Sequence, residues 1–269
     1  MERNMFENVK MICSDLDGTI LTYDQTELSD RLIAQIRELK KMGIWFVPTS
    51  GRSIPSMQKL FAPVLDCCYF IGSNGAVVFD SKGEVLGKTL IPKEKAMEIA
   101  HDFLDRTNDR GEVNISGPRC SHLLPKGLGM VERIQFIGNQ YEIHEKPEDV
   151  EDEIVKVAVY LPDGAQNYID QFEEKWKDYN ASISGPYWID ATLADKGKGV
   201  RMMAELLQVD LKDIVAFGDN FNDVQMLDTV GMPYIMSTAA PELLDRYEKH
   251  TASVEDTIEE ILSILAKRR

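Results

Sequence analysis

The sequence predicts an α/β protein in which a parallel sheet is interrupted by an inserted α+β module. Three observations carry this expectation. From Val9 to Phe79, short apolar runs alternate with amphipathic helical stretches, the pattern of a parallel sheet. Between Lys82 and Ile189 that alternation breaks, and strand-like runs follow one another. After Asp195 it resumes. The expected division is a discontinuous core, 1–82 and 190–269, and an inserted unit, 83–189.

Each element has a local reason. Val9 to Ser14 (VKMICS) reads as a short buried strand, followed by a turn from Asp15 to Thr19. Asp30 to Met42 places Leu32, Ile33, Ile36 and Leu39 on one helical face, with Ser29 as N-cap and Gly43 as the stop. Ile44 to Val47 and Tyr69 to Ile71 are strands; Ala76 to Phe79 and Val85 to Leu90 form a hairpin around Ser81-Lys82-Gly83. In the inserted unit, Pro92 to Asn108 and Ala165 to Tyr179 read as helices. Val113 to Ile115, Arg133 to Ile137, Val155 to Leu161, Ser182 to Ser184 and Trp188 to Ala191 read as strands, and Gly117 to Gly129 has no assignment. The closing part gives helices at Gly199 to Leu207, Asp223 to Val230 and Glu255 to Lys267, and strands at Ile214 to Phe217 and Tyr234 to Met236.

Composition narrows the function. The net charge of −15 argues against nucleic acid, whose binding rests on Lys and Arg neutralising phosphates. A small phosphorylated ligand stays possible if local cations overcome that field. No apolar run approaches the ~20 residues of a membrane span, and Met1 to Lys10 lacks an apolar signal core, so the expected location is cytoplasmic. Cys67 and Cys68 are adjacent and Cys13, Cys67, Cys68 and Cys120 contain no CxxC, so zinc-site spacing is absent and a disulfide framework is not expected. His101, His122, His144 and His250 lie outside the motifs described next and read as surface or structural residues. The oligomeric state is left open.

Four short motifs fall at predicted strand or helix ends. Asp15-Leu16-Asp17-Gly18-Thr19 follows the first strand, where open parallel sheets place their ligands. Two carboxylates two residues apart on extended chain point the same way and repel. A divalent cation relieves that repulsion, and oxygen-only ligands suit Mg²⁺; alternatively, one carboxylate keeps a proton and serves as a general acid. Ser50-Gly51-Arg52 offers a hydroxyl and backbone N–H groups to phosphate oxygens, although by itself it is an ordinary turn. Lys196-Gly197-Lys198-Gly199 places a lysine at a helix start. Gly218-Asp219-Asn220-Phe221-Asn222-Asp223 adds acidic and amide groups after a third strand, with Asp219 nearest the strand end as the better metal ligand and Asp223 able simply to cap the following helix.

In this order the four clusters resemble the haloacid dehalogenase superfamily of phosphatases, and within it the Cof-type group with a large type IIB cap. The likeness spans nearly the whole chain and also rests on Val47 to Arg52 and Asn74-Gly75-Ala76. It implies a Rossmann-like, doubly wound core with an inserted α/β cap. It further implies Mg²⁺-dependent hydrolysis of a phosphomonoester through an aspartyl-phosphate, with no nucleic-acid or membrane partner. The implied substrate is a small phosphorylated metabolite, foremost a sugar phosphate. By resemblance Asp15 is the nucleophile and Asp17 the acid/base, while Lys196 balances the charge of nucleophile and phosphate. Ser50, Gly51, Lys196 and Asn222 bind phosphate. Asp15, Asp219 and the Asp17 backbone carbonyl hold Mg²⁺, and Asp223 closes the last motif. Apart from the resemblance, the unassigned segment Gly117 to Gly129 carries Arg119, His122 and Lys126, which are either candidates for contact with a polar leaving group or residues of a plain surface loop. The chain departs from the family at Met236 to Pro241, where an Asn-Ala pair is common. A phosphotransferase or mutase of the same superfamily, and a phosphosugar-binding regulator without turnover, are the alternatives.

Overall fold

A computed structural model describes residues 5–22, 25–108, 110–127 and 129–267. Met1 to Asn4 of the polar N-terminal segment, and Leu128 of the unassigned Gly117 to Gly129 segment, lie outside them. Two compact units form. One takes the chain up to Gly51, Met57–Gly87 and the chain from Asp195 onward; the other takes Arg52–Ser56 and Lys88–Ala194.

In chain order the first half contributes β1 (Met11–Ser14), α1 (Asp30–Lys41), β2 (Trp45–Pro48), α2 (Ile54–Leu60), β3 (Phe70–Gly72), β4 (Val77–Phe79) and β5 (Val85–Lys88). Then come α3 (Lys93–Arg106), β6 (Glu112–Ser116), β7 (Cys120–Leu124), α4 (Gly129–Phe136), β8 (Gln140–Ile143), β9 (Lys156–Tyr160), β10 (Ser182–Gly185) and β11 (Trp188–Ala191). The last third holds α5 (Lys196–Leu207), β12 (Ile214–Gly218), α6 (Val224–Leu227), β13 (Met232–Met236), α7 (Pro241–Arg246), β14 (His250–Thr251) and α8 (Val254–Ala266).

The first unit is built on a five-stranded sheet of order β14-β13-β12-β1-β2, parallel at every pairing. β1 is buried along its whole length, as a central parallel strand covered on both faces must be. From β1 the chain goes to β2 on one side and later returns to β12 on the other. That reversal makes the carboxyl ends of β1 and β12 a topological switch point. Helices start where capping allows. Ser29 Oγ accepts from Leu32 N at 3.0 Å and starts α1, which buries Leu32, Ile36 and Leu39. Asp195 accepts from Lys198 N at 2.8 Å, so α5 begins at Lys196, earlier than the Gly199 start that the apolar spacing predicts. The predicted Asp223 to Val230 helix is instead a 3-10 turn, Phe221–Asp223, followed by the single turn of α6.

The second unit holds a six-stranded sheet, β10-β11-β9-β6-β7-β8, backed by α3 through Ala96, Ile99, Ala100 and Phe103. Its pairings are antiparallel except β7 with β8, which α4 connects as a short crossover. Two expectations are corrected here, and one unassigned segment gains a strand. Arg133 to Ile137, predicted as a strand, belongs mostly to α4: the alternating look of R-I-Q-F-I hides the spacing of Met130 and Ile134, which pack with Leu123 and Tyr160. Ala165 to Tyr179, predicted as one helix, forms three 3-10 turns. Ala165, Ile169, Phe172 and Trp176 are buried at helical spacing, but the intervening Asn, Tyr and Asp residues are weak helix formers. The unassigned Gly117 to Gly129 segment contains β7, which hairpins back on β6.

Among the described residues no helix is long and apolar enough to cross a membrane.

Candidate active site

At the switch point β1 delivers Asp15. The Asp15 amide donates to Phe217 O of β12 at 2.9 Å, the Thr49 amide donates to Ser14 O at 2.8 Å, and Ser14 Oγ donates to Asp15 O at 2.9 Å. The strand end is thus held from both neighbours. Leu16 O then accepts from the amides of Thr19, Ile20 and Leu21, curling the chain into a turn. Gly18 permits this turn for two reasons. Its φ is +102°, and a Cβ there would lie 2.3 Å from Asp219 Oδ2. Thr19 Oγ1 donates to Asp219 Oδ1 at 2.7 Å, so the first and last motifs are joined directly.

Lys196 opens α5 and is 1% exposed. A cation at a helix N-terminus is disfavoured by the helix dipole and by burial. Two carboxylates offset that: Nζ donates to Asp15 Oδ1 at 2.6 Å and to Asp223 Oδ1 at 2.5 Å. The helix start itself is fixed from the other side by the Ser73-Asn74-Gly75 turn. Gly75 has φ +94°, and a Cβ on it would lie 1.9 Å from Asp195 O.

Asp223 is fully buried and uses both oxygens. Oδ1 receives Lys196, and Oδ2 accepts the amides of Asp219 and Asn220 at 3.0 Å each. It therefore anchors the lysine and the turn after β12. The sequence offered Asp223 as the close of its motif or as a helix cap, and not as the anchor of Lys196; its position three residues after Asn220, as in a capping box, was the available signal.

Oxygen atoms of Asp15, Asp219 and Asp223 lie within 4.8 Å of one another. Three carboxylates against one ammonium leave excess negative charge in a dry place. Burial pushes the Asp15 carboxyl well up, Lys196 opposes this and Asp223 adds to it. Burial also raises Asp219, against the Thr19 hydrogen bond, and its carboxyl meets that of Asp15. Burial alone would lower Lys196, but Asp15 and Asp223 outweigh it and keep it charged. With Asp223 already satisfied, Asp15 and Asp219 are the pair open to a cation. Their all-oxygen, crowded donor set fits a hard divalent ion such as Mg²⁺. The Asp17 carboxyl is half-buried and is not part of the converging group.

Ser50 follows β2 and is 2% exposed; its amide donates to Ile71 O and its carbonyl accepts from the Asn74 amide, both at 2.9 Å. Gly51 is exposed beside Asn74, whose Oδ1 is buried without a hydrogen-bond partner and whose φ is +54°. Asn74 was visible in the sequence only as a turn residue. Asn222 is exposed on the turn after β12. Arg119, His122 and Lys126 belong to the second unit. Arg119 is exposed in the β6–β7 turn and Lys126 is exposed beyond β7, whereas His122 is buried and engaged by His144 and Asp152.

The family profile of haloacid dehalogenase-like hydrolases matches residues 12–261. The 5-amino-6-(5-phospho-D-ribitylamino)uracil phosphatase YbjI of Escherichia coli is 24% identical over 265 residues, covering 95% of this chain and 97% of that protein. The HMP-PP phosphatase of Escherichia fergusonii is 24% identical over 238 residues, covering 87% and 86%. Among solved structures, the subclass IIB sugar phosphatase BT4131 superposes with a TM-score of 0.78 at 18% identity, over 97% of this chain and 99% of that one. That likeness concerns the fold, a Rossmann-like doubly wound core with an inserted cap. With a profile match over nearly the whole chain and a carboxylate–lysine cluster at the switch point, the chain belongs to the haloacid dehalogenase-like hydrolases and is a phosphatase of that superfamily.

Proposed function

We propose that the protein is a Mg²⁺-dependent phosphomonoesterase that works through an aspartyl-phosphate on Asp15, with a small sugar phosphate or related metabolite as substrate. The observation that carries this reading is the buried Lys196 held between Asp15 and Asp223 at the carboxyl end of β1.

A carboxylate is a weak nucleophile, so positioning and charge neutralisation must supply most of the catalysis. Asp15 is fixed by the β1–β12 ladder and attacks phosphorus, while the bond from phosphorus to the leaving oxygen breaks. Asp17 gives its proton to that oxygen. Water then attacks the phosphorus of the acyl-phosphate, Asp17 takes the water's proton, and the Asp15–phosphorus link breaks to release phosphate. Lys196 offsets the charge that builds as the two anions approach. Ser50 and the backbone at Gly51 hold phosphate oxygens, and Asn222 is the remaining candidate on that side. Asp15 and Asp219 would hold Mg²⁺, joined by the Asp17 carbonyl; when bound, the ion neutralises phosphate charge. The second unit serves as the cap, and Arg119 and Lys126 are its candidates for substrate contact. The substrate class is supported by relatives whose names carry a phosphoribityl compound and a sugar.

The test is turnover of p-nitrophenyl phosphate and of a panel of phosphorylated metabolites, with and without chelator. Hydrolysis that stops in EDTA and returns with Mg²⁺ is expected. Full activity in excess chelator contradicts the Asp15–Asp219 metal site, and phosphoryl transfer to an added sugar acceptor in place of water favours the transferase alternative.

A further inference from the structure

The edge of the second unit's sheet carries donor atoms that phosphate hydrolysis does not use. β7 and β8 run parallel in register, with Cys120 opposite Gln140 and His122 opposite Glu142. Residues two apart on extended chain share a face. Cys120 and His122 therefore face the same way, as do Glu142 and His144, the residue that follows β8 in the same ladder through its amide bond to Leu123 O. A Cys-x-His pair thus lies beside a Glu-x-His pair. His122 Nδ1 is 3.1 Å from His144 Nε2 and 3.6 Å from Glu142 Oε2, and His144 Nε2 is 3.7 Å from the same oxygen. The Cys120 thiol, the His122 ring and the Glu142 carboxylate also offer one atom each within 4.8 Å of one another. Metal–nitrogen bonds of about 2.0–2.1 Å at tetrahedral angles put neighbouring donors roughly 3.3 Å apart. The three measured separations bracket that value.

The orientation of His122 is a second, independent observation. Its Nε2 lies 3.2 Å from Asp152 Oδ2. An ionised carboxylate only accepts, so Asp152 fixes Nε2 as the outer nitrogen and turns Nδ1, 3.1 Å from His144 Nε2, toward His144 and Glu142. A metal-ligating histidine takes the same arrangement, its outer nitrogen fixed by a carboxylate. His122 is buried, while the Glu142 side chain is 64% exposed, so an ion has a route in from solvent.

We infer that Cys120, His122, Glu142 and His144 bind one borderline transition ion of the zinc class, tying the edge strand β8 to β7. Imidazole and thiolate donors select such an ion over Mg²⁺, so the site is chemically distinct from the all-oxygen carboxylates of the first unit. The sequence shows no zinc-site spacing because the donors are divided between two strands, His122 and His144 being 22 residues apart.

The experiment uses the full chain in excess Mg²⁺, with Co²⁺ as spectroscopic probe and Zn²⁺ as competitor. One equivalent of Co²⁺ is expected to give the intense visible absorption of a tetrahedral ion, with a thiolate charge-transfer band that Cys120→Ser removes. Zn²⁺ is expected to displace the Co²⁺ and raise Tm. By calorimetry Asp152→Asn lowers Zn²⁺ affinity by about 10–100-fold, and Glu142→Gln and His144→Gln lower it by at least ~10-fold. Glu142 is exposed, so its variant keeps the test valid should changes at buried His122 unfold the unit. The inference is overturned by no uptake in excess Mg²⁺, by weak octahedral absorption only, by a charge-transfer band that persists in Cys120→Ser, or by affinity unchanged in the Glu142 and His144 variants.

Discussion

The Lys196 ammonium lies 2.6 Å from Asp15 Oδ1, although 181 residues separate them in sequence. Asp223, 2.5 Å from the same nitrogen, holds the lysine in place, and its second oxygen ties down the turn that carries Asp219. The proposed nucleophile Asp15, its counter-charge Lys196 and the proposed metal carboxylate Asp219 are thereby linked in one network.

Removing the ammonium leaves these carboxylates without a counter-charge. Lys196→Met is expected to lower kcat by about 10²–10³, the usual loss of a preorganised charge-stabilising donor. Lys196→Arg does not restore it, because a guanidinium fork replaces a point charge in a fully enclosed space. Steady-state kinetics with p-nitrophenyl phosphate decide; near wild-type kcat in Lys196→Met contradicts the assigned role.

Asp15 sets stability against function. Its carboxyl is raised by burial, so ionisation is resisted in the folded state. Below the ordinary carboxylate range Asp15 is protonated whether folded or not, and Asp15→Asn changes little. As pH rises through the interval up to the raised value, the wild type loses stability that the variant keeps. The metal-free Asp15→Asn protein should therefore have a Tm higher by about 2–4 °C at neutral pH, with the gap closing on acidification and with no turnover. Scanning calorimetry in EDTA measures the gap; a lower Tm for the variant at neutral pH is the contrary result.

Asp17→Asn retains the nucleophile and removes the proton. A loss of about 10²–10⁴ in kcat is expected for alkyl phosphates, and a smaller one for p-nitrophenyl phosphate, whose leaving group needs little protonation. An equal loss for both substrates would show that Asp17 is not the acid.

Arg119 and Lys126 are exposed on the second unit. Arg119→Ala or Lys126→Ala should alter discrimination among phosphorylated metabolites more than it alters turnover of p-nitrophenyl phosphate. Specificity constants across a metabolite panel provide the readout, and an unchanged ranking returns selectivity to the loops of the first unit.

The core was legible because its signals are local. Apolar runs such as MICS and IVAF mark parallel strands, and Asp15, Asp219 and Lys196 follow strand ends or open a helix. The contribution of Asp223 was less legible, since its contact with Lys196 joins two separate motifs and depends on where α5 begins, and the Asp195 cap moved that start to Lys196. In the second unit, burial patterns misled. Arg133 to Phe136 alternates like a strand yet turns as α4, and Ala165 to Tyr179 is buried at helical spacing yet breaks into 3-10 turns. In α4 the packing of Met130 and Ile134 overrides the strand-like alternation, whereas in Ala165 to Tyr179 weak helix formers override the helical burial pattern.

Covalent catalysis by Asp15 leaves an acyl-phosphate that borohydride can trap during turnover. Wild-type protein quenched in the steady state, reduced and digested should yield the peptide spanning Asp15 with that residue converted to homoserine, the product of reducing an acyl-phosphate. The conversion should require substrate. Sustained turnover that leaves Asp15 unmodified under conditions that trap an authentic acyl-phosphate, or a label on another carboxylate, contradicts covalent catalysis by Asp15.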